Sequence, residues 1–200
     1  MMLTEATVVP GSALPVQGMK DHLRLGTGFT DDGMQDGLIA GHLRAAIAAI
    51  EGRTGKALLA RRFVLRLDRW RVSQGGQALP MAPVSAVVSV SLIDRAGAVV
   101  LVPTSAYRLV PDMQRPRLMG AGMALPSVPD EGAVEVVFDA GFGTSWGSVP
   151  ADLGHAVLLL AAEFYETRHD GGQAGLAVPL AVQALIERWR TVRVLGGGGV

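Results

Sequence analysis

Gly143-Thr144-Ser145-Trp146-Gly147 is the stretch of this chain whose residue types and spacing come nearest to catalysis. It matches the G-x-S-x-G pattern, in which a sharp strand-to-helix turn holds a serine hydroxyl free for attack while a carboxylate and a histidine farther along supply the base. The partners on offer are Asp152, His155, His169 and Asp170, all crowded into the next helix and its end. Ser145 also stops short of the helix start at Pro150, and no alternation of strands and helices surrounds it. The stretch therefore reads as a glycine-rich surface turn, with a Ser145 esterase-like hydrolase as the alternative.

Other chemistry finds less support. With no cysteine, thiol catalysis, disulfides and cysteine-ligated zinc are all excluded. His22, His42, His155 and His169 never approach a metal-ligand spacing, and no His-Glu-x-x-His or calcium loop occurs. Glu163 and Glu166 could share one helix face, where solvated or ion-paired carboxylates are the ordinary outcome. Gly196 to Gly199 has neither the lysine nor the following helix of a phosphate loop. Neither a cofactor nor a metal is expected. The C-terminal helix, read as Pro179 to Val194, combines an apolar stripe (Val182, Leu185, Ile186, Trp189, Val192) with Arg188, Arg190 and Arg193. Trp and Arg are frequent interface anchors, although an amphipathic helix with arginines at its negative end looks the same in sequence.

The elements carrying these residues follow from periodicity. Residues 1–16 lack it and carry Pro10, Gly11 and Pro15, which predicts an extended arm of the kind that can lie on a neighbour. A short helix over 17–25 precedes a longer one capped by Thr30-Asp31-Asp32, with Leu38, Ile39, Leu43, Ala46, Ile47 and Ile50 at helical spacing and Gly52 to Gly55 ending it. From Arg61 to Asp139 the period changes to two. Phe63, Leu65 and Leu67 form one inward row, Val84, Ala86, Val88, Val90 and Leu92 a second, and Asp94-Arg95-Ala96-Gly97 a hairpin turn. The alternating strand Val134 to Asp139, the turn Ala140-Gly141-Phe142-Gly143 and Val149-Pro150 then lead into a helix running to Arg168. A Gly/Ala-rich loop, Asp170 to Ala177, separates the last two helices. The expected fold is α+β: a helical body from 17–60 and 140–195, an inserted antiparallel β subdomain over 61–139, the arm over 1–16 and a flexible tail over 196–200.

Composition narrows the partners. The chain has 200 residues, 18 basic and 18 acidic, so its formal net charge is zero and nothing draws it as a whole toward nucleic acid or anionic lipid. No stretch has the length or apolarity of a membrane span, and Met1 to Pro15 lacks the pattern of a secretory signal, which predicts a soluble protein outside the usual export route.

Taken in order, Met19-Lys20-Asp21-His22-Leu23-Arg24-Leu25, Asp31-Asp32, Ile50-Glu51-Gly52-Arg53-Thr54-Gly55, Leu79-Pro80-Met81-Ala82-Pro83-Val84, Ala140-Gly141-Phe142-Gly143 and Tyr165-Glu166-Thr167-Arg168 resemble the phage head-tail adaptor, or head-completion, family over residues 17–193. With two lysines against many arginines, the chain is most similar to the adaptor of a rhodobacterial gene transfer agent, a phage-like particle that carries bacterial DNA. The resemblance implies a structural virion protein and no enzyme, assembled in the bacterial cytoplasm and located at the particle neck. It implies a ring of about twelve copies between the portal and a tail-proximal connector or stopper protein, with double-stranded DNA passing through unbound. It makes Arg188, Trp189, Arg190, Arg193, Val194 and Leu195 the portal-binding residues and the β subdomain an outer or tailward surface. A generic α+β protein-binding module is the remaining alternative.

Overall fold

Residues with helical spacing and residues with alternating spacing separate into two apolar cores in the computed structural model, which describes residues 1–25, 33, 35–73, 75–122, 124–167 and 178–190. The fold is α+β. Its helical part consists of α1 (Val16–His22), α2 (Asp36–Thr54), α3 (Ala151–Glu166) and α4 (Leu180–Ile186). Ile39, Leu43, Ile47 and Ile50 of α2 share a core with Leu153, Val157 and Leu160 of α3, because positions three and four apart fall on one helix face. Leu38, expected in that row, lies on the exposed side. Gly55 stops α2 by taking a left-handed conformation (φ 67°) and donating its N–H to the Glu51 carbonyl, a conformation glycine adopts without steric cost. The expected cap Thr30-Asp31-Asp32 lies outside the described residues. So do the loop 170–177 and everything after Arg190.

The β part holds two antiparallel sheets among the described residues. The larger has the order β1-β2-β9-β5-β6, with β1 Met2–Glu5, β2 Arg61–Leu67, β9 Ala133–Ala140, β5 Val84–Ile93 and β6 Val99–Leu101. The smaller has the order β3-β4-β8-β7, from β3 Val72–Ser73, β4 Gly76–Ala78, β8 Arg117–Gly120 and β7 Tyr107–Val110. Phe63, Leu65 and Leu67 point inward as their alternation predicts, with the Phe63 and Phe138 rings stacked 5.6 Å apart in the core. The Asp94–Gly97 turn also forms: Gly97 has φ 85°, and the Asp94 carboxylate accepts the Ala98 N–H at 2.8 Å.

Two expectations change. Only Val84, Val90 and Leu92 of the second predicted row pack on the core, joined by Val87, while Ala86 and Val88 face outward. Register shifts between Val84 and Ala86 and between Val87 and Ser89 each insert one extra residue, reversing the face and then restoring it. The N-terminal arm is extended only in part, since Gly11–Ala13 forms a 3-10 turn and α1 begins at Val16, and it lies on its own chain. Met2–Glu5 pairs with β2, and Val9, Ala13 and Leu14 are buried in the helical core.

A buried ion pair ties the two parts together. Glu51 of α2 and Arg61 at the start of β2 are only 7% and 5% exposed. Arg61 donates to both Glu51 carboxylate oxygens, and Glu51 Oε1 also accepts the Leu58 N–H at 2.7 Å. From β1, Glu5 takes a further Arg61 N–H at 2.7 Å. Burial opposes the Arg61 charge, but the two carboxylates outweigh it and push the guanidinium pKa above its usual range. One residue thus fixes α2, β1 and β2 against one another.

Candidate interaction surface around the C-terminal helix

Gly141-Phe142-Gly143 brings the end of β9 over to the helical part through contacts that exclude side chains. Gly141 has φ 136°, and a Cβ there would overlap the Ala60 backbone and lie 2.6 Å from the Leu59 carbonyl carbon. A Cβ on Gly143 would overlap the Ser148 side chain. The turn delivers Phe142, whose ring stands edge-on to Trp189 with centroids 5.5 Å apart.

This turn also carries Ser145. Ser145 sits in extended backbone (φ −117°, ψ 155°) ahead of a short 3-10 turn over Trp146–Ser148, and its hydroxyl lies 3.4 Å from that of Ser148. The sharp elbow is absent, and the sheet behind it is antiparallel. Asp152 is committed to Trp189 and Arg188, while His155 stacks edge-on with His22. His169 and Asp170 lie outside the described residues. Pro150, expected to open α3, stands just before its first residue and accepts the Gly154 N–H. Among the described residues no cluster of His, Asp or Glu is placed to hold a metal ion, and no helix is long and apolar enough to cross a membrane.

The C-terminal helix is shorter than its periodicity predicts. α4 ends at Ile186, a 3-10 turn spans Glu187–Trp189, and Arg190 is extended. Val182 and Ile186 are buried against α3, with Leu185 and Trp189 partly buried beside them, so the apolar stripe faces its own chain. Asp152 Oδ2, near the start of α3, accepts the Trp189 indole N–H and pairs with Arg188, both at 2.7 Å. The Arg188 guanidinium also lies over the Trp189 ring at 4.7 Å and remains 70% exposed. The Arg188 carbonyl accepts from Gln114, whose side-chain oxygen receives the buried Lys56 ammonium at 2.8 Å. Arg190 pairs with Glu187 at 3.1 Å on the rim of a cleft of about 350 Å³, which Arg53 and Gln183 also line. Of the six residues the resemblance singled out, Arg188, Trp189 and Arg190 are therefore adjacent, with the indole turned inward and both guanidiniums outward. Arg193, Val194 and Leu195 lie outside the described residues.

Solved structures similar to this chain supply the relationship. No protein-family model and no curated protein matches it. A chain in the neck of an empty gene transfer agent (GTA) particle, computed with C6 symmetry, is 57% identical, with a TM-score of 0.88 over 98% of this chain and 99% of that one. The chain belongs to the head-tail adaptor family of GTA particles. A chain from the virion of a native GTA particle is likewise 57% identical, with a TM-score of 0.86. One from a native neck computed with C12 symmetry is 53% identical, with a TM-score of 0.84. Both matches cover 98% of this adaptor and 99% of the other chain.

Sequence reasoning placed Asp152 only as a partner for Ser145 and missed its role in holding this adaptor's C-terminal turn. The available signal was Pro150-Ala151-Asp152, an acidic residue in a first helical turn, which is a common and uninformative pattern. Burial alone would raise the Asp152 carboxyl, but the Trp189, Arg188 and Leu153 hydrogen bonds outweigh it and hold the pKa below the ordinary aspartate value. Because the folded value is the lower one, the contribution is complete above the unfolded pKa of about 3.9 and disappears as pH falls through the folded value. Trp189 fluorescence, recorded with Trp70 and Trp146 replaced by Phe, should change in that acid range. An Asp152→Asn variant should lack this transition.

Proposed function

We propose that the chain is a structural neck component of a GTA or related phage-like particle, forming a ring of about twelve copies between the portal and the tail-proximal connector or stopper protein. The reading is supported above all by 57% identity over 98% of the chain to a component of a symmetric GTA neck. Double-stranded DNA passes through the ring without specific binding. The net charge of zero suits that role, since a strongly basic lumen would hold phosphates. Assembly takes place in the bacterial cytoplasm, and the protein acts by geometry, not catalysis.

Arg188 and Arg190, with Arg193, Val194 and Leu195 beyond them, face the portal, and Trp189 holds the segment at its base. The β subdomain supplies the outer or tailward surface. The test mixes purified chain with portal rings from the same genome and images the product by electron microscopy. Truncation after Val178 would remove buried Val182 and Ile186, so the informative variant ends at Arg190 and carries Arg188→Glu and Arg190→Glu. Rings stacked on the portal with the full chain only are the expected result. Binding by the variant equal to that of the full chain would reject the C-terminal assignment. A Ser145→Ala variant should assemble as the unaltered chain does, and loss of assembly would reopen the reading of that turn.

A further inference from the structure

We propose that neighbouring copies join edge to edge, the free edge of β1 in one copy pairing in parallel with the free edge of β6 in the next. This rests on the ring reading above. A ring closed by rotation needs two different patches that fit each other, and among the described residues the larger sheet ends in two unlike edges with no strand beyond them. β6 is Val99-Val100-Leu101, residues 64%, 63% and 66% exposed with no charge, proline or bulge to block pairing. At the opposite edge Met2 is 56% exposed.

The backbone hydrogen bonds fix which groups face outward. In an antiparallel pair each residue aims its N–H and C=O to the same side, and the next residue aims to the other. The Ala6 N–H donates to Arg62 O, which sets the phase of β1: Met2 and Thr4 bond to β2, whereas Leu3 and Glu5 aim away from the sheet. Asp94 N–H to Ala98 O and Val102 N–H to Val90 O set the phase of β6, so that Val100 bonds inward and Val99 and Leu101 aim outward. Each edge therefore offers two residues with both main-chain groups available.

Strand direction and side-chain faces agree with one pairing. All four neighbouring pairs between β1 and β6 are antiparallel, so the two edge strands run the same way. A turn of one sixth or one twelfth of a circle cannot reverse a strand, and the junction must be parallel. A parallel neighbour places Leu3 opposite Val100, bonded to the Val99 carbonyl and the Leu101 N–H. Leu3 packs on the sheet core and Val100 lies beside Leu92, which packs on that core too, so both occupy one face. Met2 then meets Val99, and Thr4 meets Leu101, on the other face.

The chain has no cysteine, so introduced thiols are unique reporters. Two double variants test the register, Met2→Cys with Val99→Cys and Thr4→Cys with Leu101→Cys, each assembled on portal rings and treated with a short thiol-specific cross-linker. A covalent ladder extending past the dimer is expected from each, with monomers only from every single variant. Rings visible by electron microscopy with no ladder from either pair would overturn the edge pairing while leaving the ring intact. Failure of the unaltered chain to form any ring would instead overturn the neck reading, and this inference with it.

Discussion

Replacing Glu51 with Ala is expected to destabilise the protein by about 3 kcal/mol, lowering its melting temperature by roughly 6–12 °C for a chain of this size. The variant leaves the Arg61 guanidinium buried without its bidentate partner and strips the Leu58 N–H of its acceptor. Breaking one side of a buried pair costs about 3–5 kcal/mol, and the lower end applies because Glu5 still reaches Arg61. Glu51→Gln should cost less, since its side-chain oxygen can still accept the Leu58 N–H. Thermal and denaturant unfolding of the two variants beside the unaltered chain checks the order. Equal melting temperatures for Glu51→Ala and the unaltered chain would mean that the pair does not bind α2 to the sheet.

Gly141→Ala is expected to cost about 3 kcal/mol or more, from positive-φ strain of order 1–3 kcal/mol together with steric overlap. The added methyl would press on the backbone of Ala60 and Leu59, which cannot rotate aside as a flexible side chain could. Because this turn also presents Phe142 to Trp189, the variant should perturb the C-terminal turn as well as lower stability. Near-UV circular dichroism together with urea unfolding reads both effects. Gly143→Ala, whose added methyl meets the Ser148 side chain, should be milder. Parity between the two variants would contradict the backbone argument.

A ring joined through β1 would give the Glu51–Arg61–Glu5 cluster a second consequence, since Glu5 belongs to the edge strand that the proposed junction uses. Loosening the cluster would then weaken assembly as well as folding. Trp189 occupies a comparable place at the other candidate surface. Its indole is held inside the subunit while Arg188 and Arg190 remain outside, so one turn carries both a packed and two exposed side chains.

Period and punctuation in the chain were enough to establish the α+β class, the inward face of β2, the hairpin at Asp94–Gly97 and the end of α2 within Gly52 to Gly55. These depend on contacts a few residues apart, and side-chain alternation or a left-handed glycine is visible in local order. Long-range pairing was not visible. The arm at Met2–Glu5 showed no partner in sequence because its neighbour in space, β2 with Arg61 at its start, lies about sixty residues away along the chain. The row on β5 was misplaced because a bulge is set by register with β9, which neither strand encodes alone. Asp152 and Trp189, 37 residues apart, became partners only when α4 packed on α3. The order of motifs could suggest the adaptor family, but the unlike edges of the larger sheet exist only once five strands from across the chain have assembled, since an open edge is a property of pairing and not of any one segment.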